Sequence, residues 1–269
     1  NNDMIAAKYR PSPPKLQGAL VKSASSLVIF LSMFMLFNVL VSPASWRLVP
    51  DGTHLRSVIE SFESFQATTG SVIPVPLTLI TKYAPHPAVR WTHTFPAAIW
   101  SFTLIVQLST AARRHFKGVH IFSGSIFFAT GVVMMGGVGL IFMRRLDFGR
   151  RDFPKIPIDD HVSGMFGYPE GRAPYTYNFM ENFIKLLVVW FLYTAYVSWL
   201  AVAREPKDIG RHKIFIVRHL ASGLWVVVQR LLVAFIFAQT PEKQKEAFAD
   251  SVLISIIMCT LFAEVFIVV

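Results

Sequence analysis

The sequence predicts an all-α fold: a polytopic transmembrane helical bundle of about six spans, with an amphipathic surface helix in its first long loop. Two observations carry that prediction. Of the 269 residues, 53% are hydrophobic and only 16% charged, whereas a soluble domain carries about 25% charged residues. The apolar residues are also gathered into blocks with the charges between them, and a bilayer-crossing helix needs about 20 predominantly apolar residues.

Residues 1–22 form a basic, proline-containing segment without the apolar centre of a signal peptide. The chain opens on Asn1 and closes on Val269 inside an apolar block, so a removed presequence and further C-terminal residues are expected. The first span covers residues 23–41 and carries no charge. A long connection follows, over 42–90. Within it Leu55, Val58, Ile59, Phe62 and Phe65 recur at helical spacing, with Arg56, Glu60 and Glu63 elsewhere on the wheel, the pattern of a helix lying on a membrane surface. Residues 72–80 (VIPVPLTLI) are too short to span, contain two prolines, and read as an interfacial segment.

The remaining apolar blocks are 91–111, 119–143, 179–203, 213–238 and 248–269. Each is long enough to cross with some tilt. The connections after the second and fourth blocks are short, which makes antiparallel hairpins. The connection 144–178 is long and rich in Gly, Pro, Arg and Tyr, and a structureless loop of that length usually has a partner or a task.

The net charge of +10 does not point to nucleic acid, because the lysines and arginines flank spans, as membrane topology requires. Lys8, Arg10, Lys15 and Lys22 lie before the first span. Arg113, Arg114 and Lys117 follow the second, and Arg204, Lys207, Arg211 and Lys213 follow the fourth. Their density favours an N-terminus on the inner side, against Arg144, Arg145, Arg150 and Arg151, which break the rule. The single cysteine, Cys259, excludes an intramolecular disulfide and a cysteine-based metal centre.

Polar side chains inside a span are costly unless partnered, and so are the default functional candidates. The fifth span holds His212, Arg218, His219, Gln229 and Arg230. At about 100° per residue His212, His219 and Arg230 fall on one stripe, which should face protein. Depth places His120 and Glu264 at the inner level, with Glu264 near Arg218 or His219. Arg230 belongs with the outer group of His93 and the Glu181–Lys185 i,i+4 pair. The candidate cofactor-binding residues are therefore His93, His120, His212, His219, Arg218 and Arg230. A b-type haem could be held by His120 with His212 or His219, since neutral imidazole is a standard axial ligand. Structural pairing of the same groups is the competing expectation. In the third span Ser123, Gly124, Ser125, Ala129, Gly131, Gly136, Gly137 and Gly139 make a thin surface for close packing or for a flat ligand.

The order of these positions resembles a widespread family of multi-pass membrane proteins described only as a domain of unknown function. Its motifs match as His93 with Gln107, then His120 and Gly124 as His-x3-Gly, then His212 and Arg218 as His-x5-Arg, with Arg230 twelve residues on. The connection PKDIGRHKIFIVR and Trp190 also look like that family. Ser125, Phe127 and Phe215 depart from it, standing where its arginine, tyrosine and tryptophan are expected. The resemblance implies a four-helix membrane core over 91–238, extended by the basic segment 1–22, by 23–90, and by the sixth span in 239–269. It implies no activity, and the departures tilt toward a structural descendant.

The expected function is that of a non-catalytic accessory or structural subunit of a larger membrane assembly, with an organelle inner membrane favoured. The alternative is a b-type haem or quinone electron-transfer protein. Membrane lipids and other membrane proteins are the expected partners. No catalytic residue or metal ligand set is assigned: nucleophile-elbow, phosphate-loop and H-E-x-x-H motifs are absent, and Asp159, Asp160 and His161 read as a solvated turn.

Overall fold

The computed structural model describes residues 15–41, 86–144, 177–233 and 244–268, with isolated positions at 60, 64, 67, 68, 83 and 146. The surface helix and interfacial segment expected between the first two spans, and the Asp159–Asp160–His161 run, lie outside the described residues, as does the side chain of Glu181.

Among the described residues every regular element is a helix. α1 is Lys15–Val41. α2 is one rod built from Pro87–Val89, a π-helical turn Arg90–Thr94 and Phe95–Leu108. α3 is the short Thr110–His115, α4 Lys117–Met143, α5 Tyr177–Ala203, α6 Ile209–Leu232 and α7 Gln244–Val268. Five of these contain stretches long and apolar enough to cross a membrane: Gly18–Phe37, Lys117–Met143, Asn182–Ala203, Ile209–Leu232 and Asp250–Val268. The chain is an integral, multi-pass membrane protein. Large apolar side chains cover its outside, among them Phe30, Phe102, Phe122, Leu186 and Leu261, the surface that acyl chains would wet.

The second apolar block departs from a plain span, and Pro96 supplies the reason. A proline lacks the N–H that would bond the carbonyl four residues back, and its ring collides with that carbonyl. The helix responds by widening. The N–H of Phe95 reaches the carbonyl of Arg90, five residues back, and Thr92 Oγ1 donates to the Ala88 carbonyl at 2.7 Å. What remains as α-helix is the 14-residue Phe95–Leu108.

Local signals close the turns. Ser109 caps α3 by accepting from the Ala112 N–H at 3.3 Å. Asp208 caps α6 by accepting from the Arg211 N–H at 2.8 Å. Each satisfies a backbone donor that a helix start leaves orphaned.

α1, α2, α4, α5 and α6 pack in that cyclic order, α6 returning to α1, and α7 lies along α6. The centre of the ring is aromatic. Trp100 from α2, Phe127 from α4, Phe191 from α5, and Leu220 and Leu224 from α6 are all buried there. Glycines on two facing helices make room for the rings. A Cβ on Gly131 would stand 3.3 Å from Phe191 Cε1, and one on Gly223 would stand 2.9 Å from Trp100 Cη2. The thin face of α4 at Gly131 is thus filled by side chains of the protein itself.

Candidate functional site

The six candidate residues separate into a group at one end of the bundle, a central histidine and a group at the opposite end. At the first end, His120 sits in the first turn of α4 and His212 in the first turn of α6. His212 is tied to α5. Its Nδ1 lies 2.9 Å from the Ser198 carbonyl and 3.0 Å from Ser198 Oγ. A carbonyl only accepts, so Nδ1 carries the proton. The backbone carbonyl of His120 accepts from Gln107 Nε2 at 2.6 Å, and the same amide donates to Ser123 Oγ at 2.5 Å. These bonds bind α2 to α4. His120 Nδ1 is buried without a hydrogen-bond partner.

Arg218 and Glu264 join α6 to α7 through a fork-to-fork ion pair. Arg218 Nε donates to Glu264 Oε1 at 2.7 Å, and Nη2 to Oε2 at 2.8 Å. Two parallel charge-assisted bonds fix the relative rotation of the two helices as well as their spacing. The guanidinium also stacks on Phe215, 5.5 Å from its ring centroid.

His219 occupies the middle of the bundle and has no exposure at all. Its Nδ1 donates to the Phe191 carbonyl at 3.1 Å, which leaves Nε2 as a bare acceptor, buried and without a partner. Around the imidazole stand Phe191 with ring centroids 4.1 Å away, Phe127 at 5.3 Å, Trp100 at 6.0 Å and Phe128 at 6.0 Å. A hydrogen bond at Nδ1 with Nε2 free is how many metal-ligating histidines are held. Here the surroundings do not fit that use. A macrocycle between His120 and His219 would need the volume that Phe127, Phe191 and Trp100 fill, and cores are packed too densely to yield it. The residues therefore do not fit a haem held by His219.

The group at the opposite end forms around the π-helical turn. His93 Nδ1 lies 3.3 Å from the Met134 carbonyl on α4, and its ring meets Tyr83 edge-on at 6.4 Å. Arg230, on the last turn of α6, is near enough to act electrostatically on His93 and Tyr83, and its Nη1 is buried without a hydrogen-bond partner. The adjacent Gln229, about 100° round α6, donates to Ser251 of α7 at 3.2 Å.

The arrangement is therefore three separate levels along α6, not one convergent site. Among the described residues no group of three His, Cys, Asp or Glu side chains could hold a metal ion. Several participants went unseen in the sequence: Ser198, Ser251, Phe191 and Trp100. A serine or an aromatic ring in an apolar span gives no mark of which way it faces. Trp100 alone had an available clue, since Gly131 and Gly223 on other spans leave room for a large ring.

Comparison with protein-family models, with curated proteins and with solved structures finds no match. The motif resemblance stands on the quoted residues alone, and geometry has to carry the functional argument.

Proposed function

We propose that the chain is a non-catalytic, multi-pass membrane protein serving as an accessory or structural subunit of a larger membrane assembly. The observation that carries the reading is the use to which four polar residues of α6 are put. His212, Arg218, His219 and Gln229 each bond a neighbouring helix. Interhelical hydrogen bonds of this kind hold membrane bundles together where no hydrophobic force acts between helices. The long connections that the sequence places at 42–90 and 144–178 support a role with partners, since a long connection usually has a task or a partner.

On this reading α2 is a sixth crossing. It runs antiparallel to α4, with Gln107 meeting His120 at one end and His93 meeting Met134 at the other. Fourteen residues of α4 separate those contacts, about 21 Å at 1.5 Å per residue. The basic residues in the short connections favour an N-terminus on the inner side. Membrane lipids and other membrane proteins are the partners, and an organelle inner membrane is the favoured location.

Solubilisation of native membranes in mild detergent, followed by native electrophoresis, tests the proposal. The chain is expected to migrate with other polypeptides at a mass well above its own 30.3 kDa. Migration only as a free monomer contradicts it.

A second reading, a b-type haem or quinone electron carrier, keeps one observation in its favour. His120 Nδ1 has no partner, and His212 stands close by at the same inner level. If a haem were bound there, these two imidazoles would hold it, and its iron would supply the redox chemistry.

A further inference from the structure

Arg218 and Glu264 carry opposite charges in two helices long and apolar enough to cross a membrane, and neither is sealed. Their side chains remain 28% and 43% exposed. In a bilayer that exposure meets acyl chains instead of water, an expensive arrangement for charge unless something polar completes it.

The pair sits at one end of a cavity of about 90 Å³ between α5, α6 and α7. On α6 the wall runs from Arg218 through Ala221 and Ser222 to Trp225. That is seven residues on one face, or about 10 Å along the membrane normal. On α7 Ile256, Thr260, Ala263 and Glu264 line it at helical spacing, and on α5 Leu187 and Trp190. The cavity is thus a slot with a polar end and an apolar end. Arg218 lies five residues past the exposed Lys213, about 7.5 Å further along the helix. The apolar end lies at Trp225 and Ile256.

The chemistry of the polar end selects its ligand. Glu264 takes Arg218 Nε and Nη2, so Nη1 is left to donate, while the charges of the pair cancel. An anionic head would be repelled by the carboxylate, whereas a neutral acceptor would not. We propose that this slot binds one membrane amphiphile whose head presents a neutral carbonyl to Arg218 and whose apolar part lies against Trp190 and Trp225. A glycerolipid ester and a quinone ring share that chemistry. The site does not depend on the accessory-subunit reading, because a free monomer could bind the same molecule.

Two tryptophans in the slot provide the readout. The whole chain in mild detergent is titrated separately with decylubiquinone and with dihexanoylphosphatidylcholine, following tryptophan fluorescence. A saturable change with at least one probe is expected, and which probe gives it identifies the source of the carbonyl. Thr260→Phe fills the slot from its exposed rim, and is expected to weaken that binding about tenfold or more, some 1.4 kcal/mol. Met258→Phe, half-exposed on α7 outside the slot, is expected to leave it unchanged and controls for folding. Absence of a saturable response to both probes overturns the proposal. So does equal binding by wild type and Thr260→Phe.

Discussion

Arg218 and Glu264 show how a charge survives among apolar helices: each is the other's solvent. Removing one partner strands the other, whereas removing both removes the need. Arg218→Met is therefore expected to lower stability by on the order of 1–3 kcal/mol, read as a lower unfolding temperature in detergent. The double variant Arg218→Met/Glu264→Met is expected to recover most of that loss. Equal losses in the single and double variants would contradict the account. This meeting was legible in the sequence, because both residues are rare in spans and their depths match. The same logic did not reveal Ser198, which holds His212, since a serine is inexpensive in a span and stands there for many reasons. Nor did it reveal that rings would enclose His219. Histidine announces a polar function, and only the geometry shows the Phe191 ring, tilted against the imidazole, with its centroid 4.1 Å away.

One element, α2, was legible as an apolar block but not in its internal shape. Pro96 was visible in the sequence, yet a proline in a membrane helix is tolerated in several ways. The way chosen here, a π turn, follows from what packs beside it. The widened turn brings the backbone of Thr92 and His93 against α4 at Gly137, where an added Cβ would stand 2.6 Å from the His93 nitrogen and the Thr92 carbonyl carbon. Only a residue without a side chain leaves that space. Gly137→Ala is accordingly expected to cost about 1–3 kcal/mol through overpacking. One position away, Gly136 has nothing within 4 Å of an added Cβ. Gly136→Ala is expected to be neutral, or to stabilise by about 0.5–1 kcal/mol through helix propensity. Thermal unfolding of the two variants in the same detergent checks the contrast. The glycine-rich face of α4 thus divides by position into packing surface at Gly131 and Gly137 and open surface at Gly136 and Gly139, a division that composition alone does not contain.

At the scale of the whole molecule, lipid imposes a composition on any helix that crosses it, and that is why the membrane class was legible in sequence, where six apolar blocks were read and five are helices long and apolar enough to cross. Contacts between helices depend on side-chain direction, which hydropathy does not record. The cyclic order α1, α2, α4, α5, α6 therefore had to come from structure. If α2 crosses beside α4, the ends of α2 lie on opposite sides of the membrane. In a Cys259→Ala background, His86→Cys and His115→Cys are expected to react with an impermeant maleimide from opposite faces of sealed vesicles. Labelling of both from one face would remove α2 from the count of spans. The histidines along α6 hold helices to one another, and the space around His219 belongs to aromatic side chains. The most direct test is the absorption spectrum of the protein purified from its native membrane, recorded oxidised and reduced. The account predicts no Soret band in either state. A Soret band that shifts on reduction and disappears in His120→Ala and His212→Ala variants that still fold would contradict it.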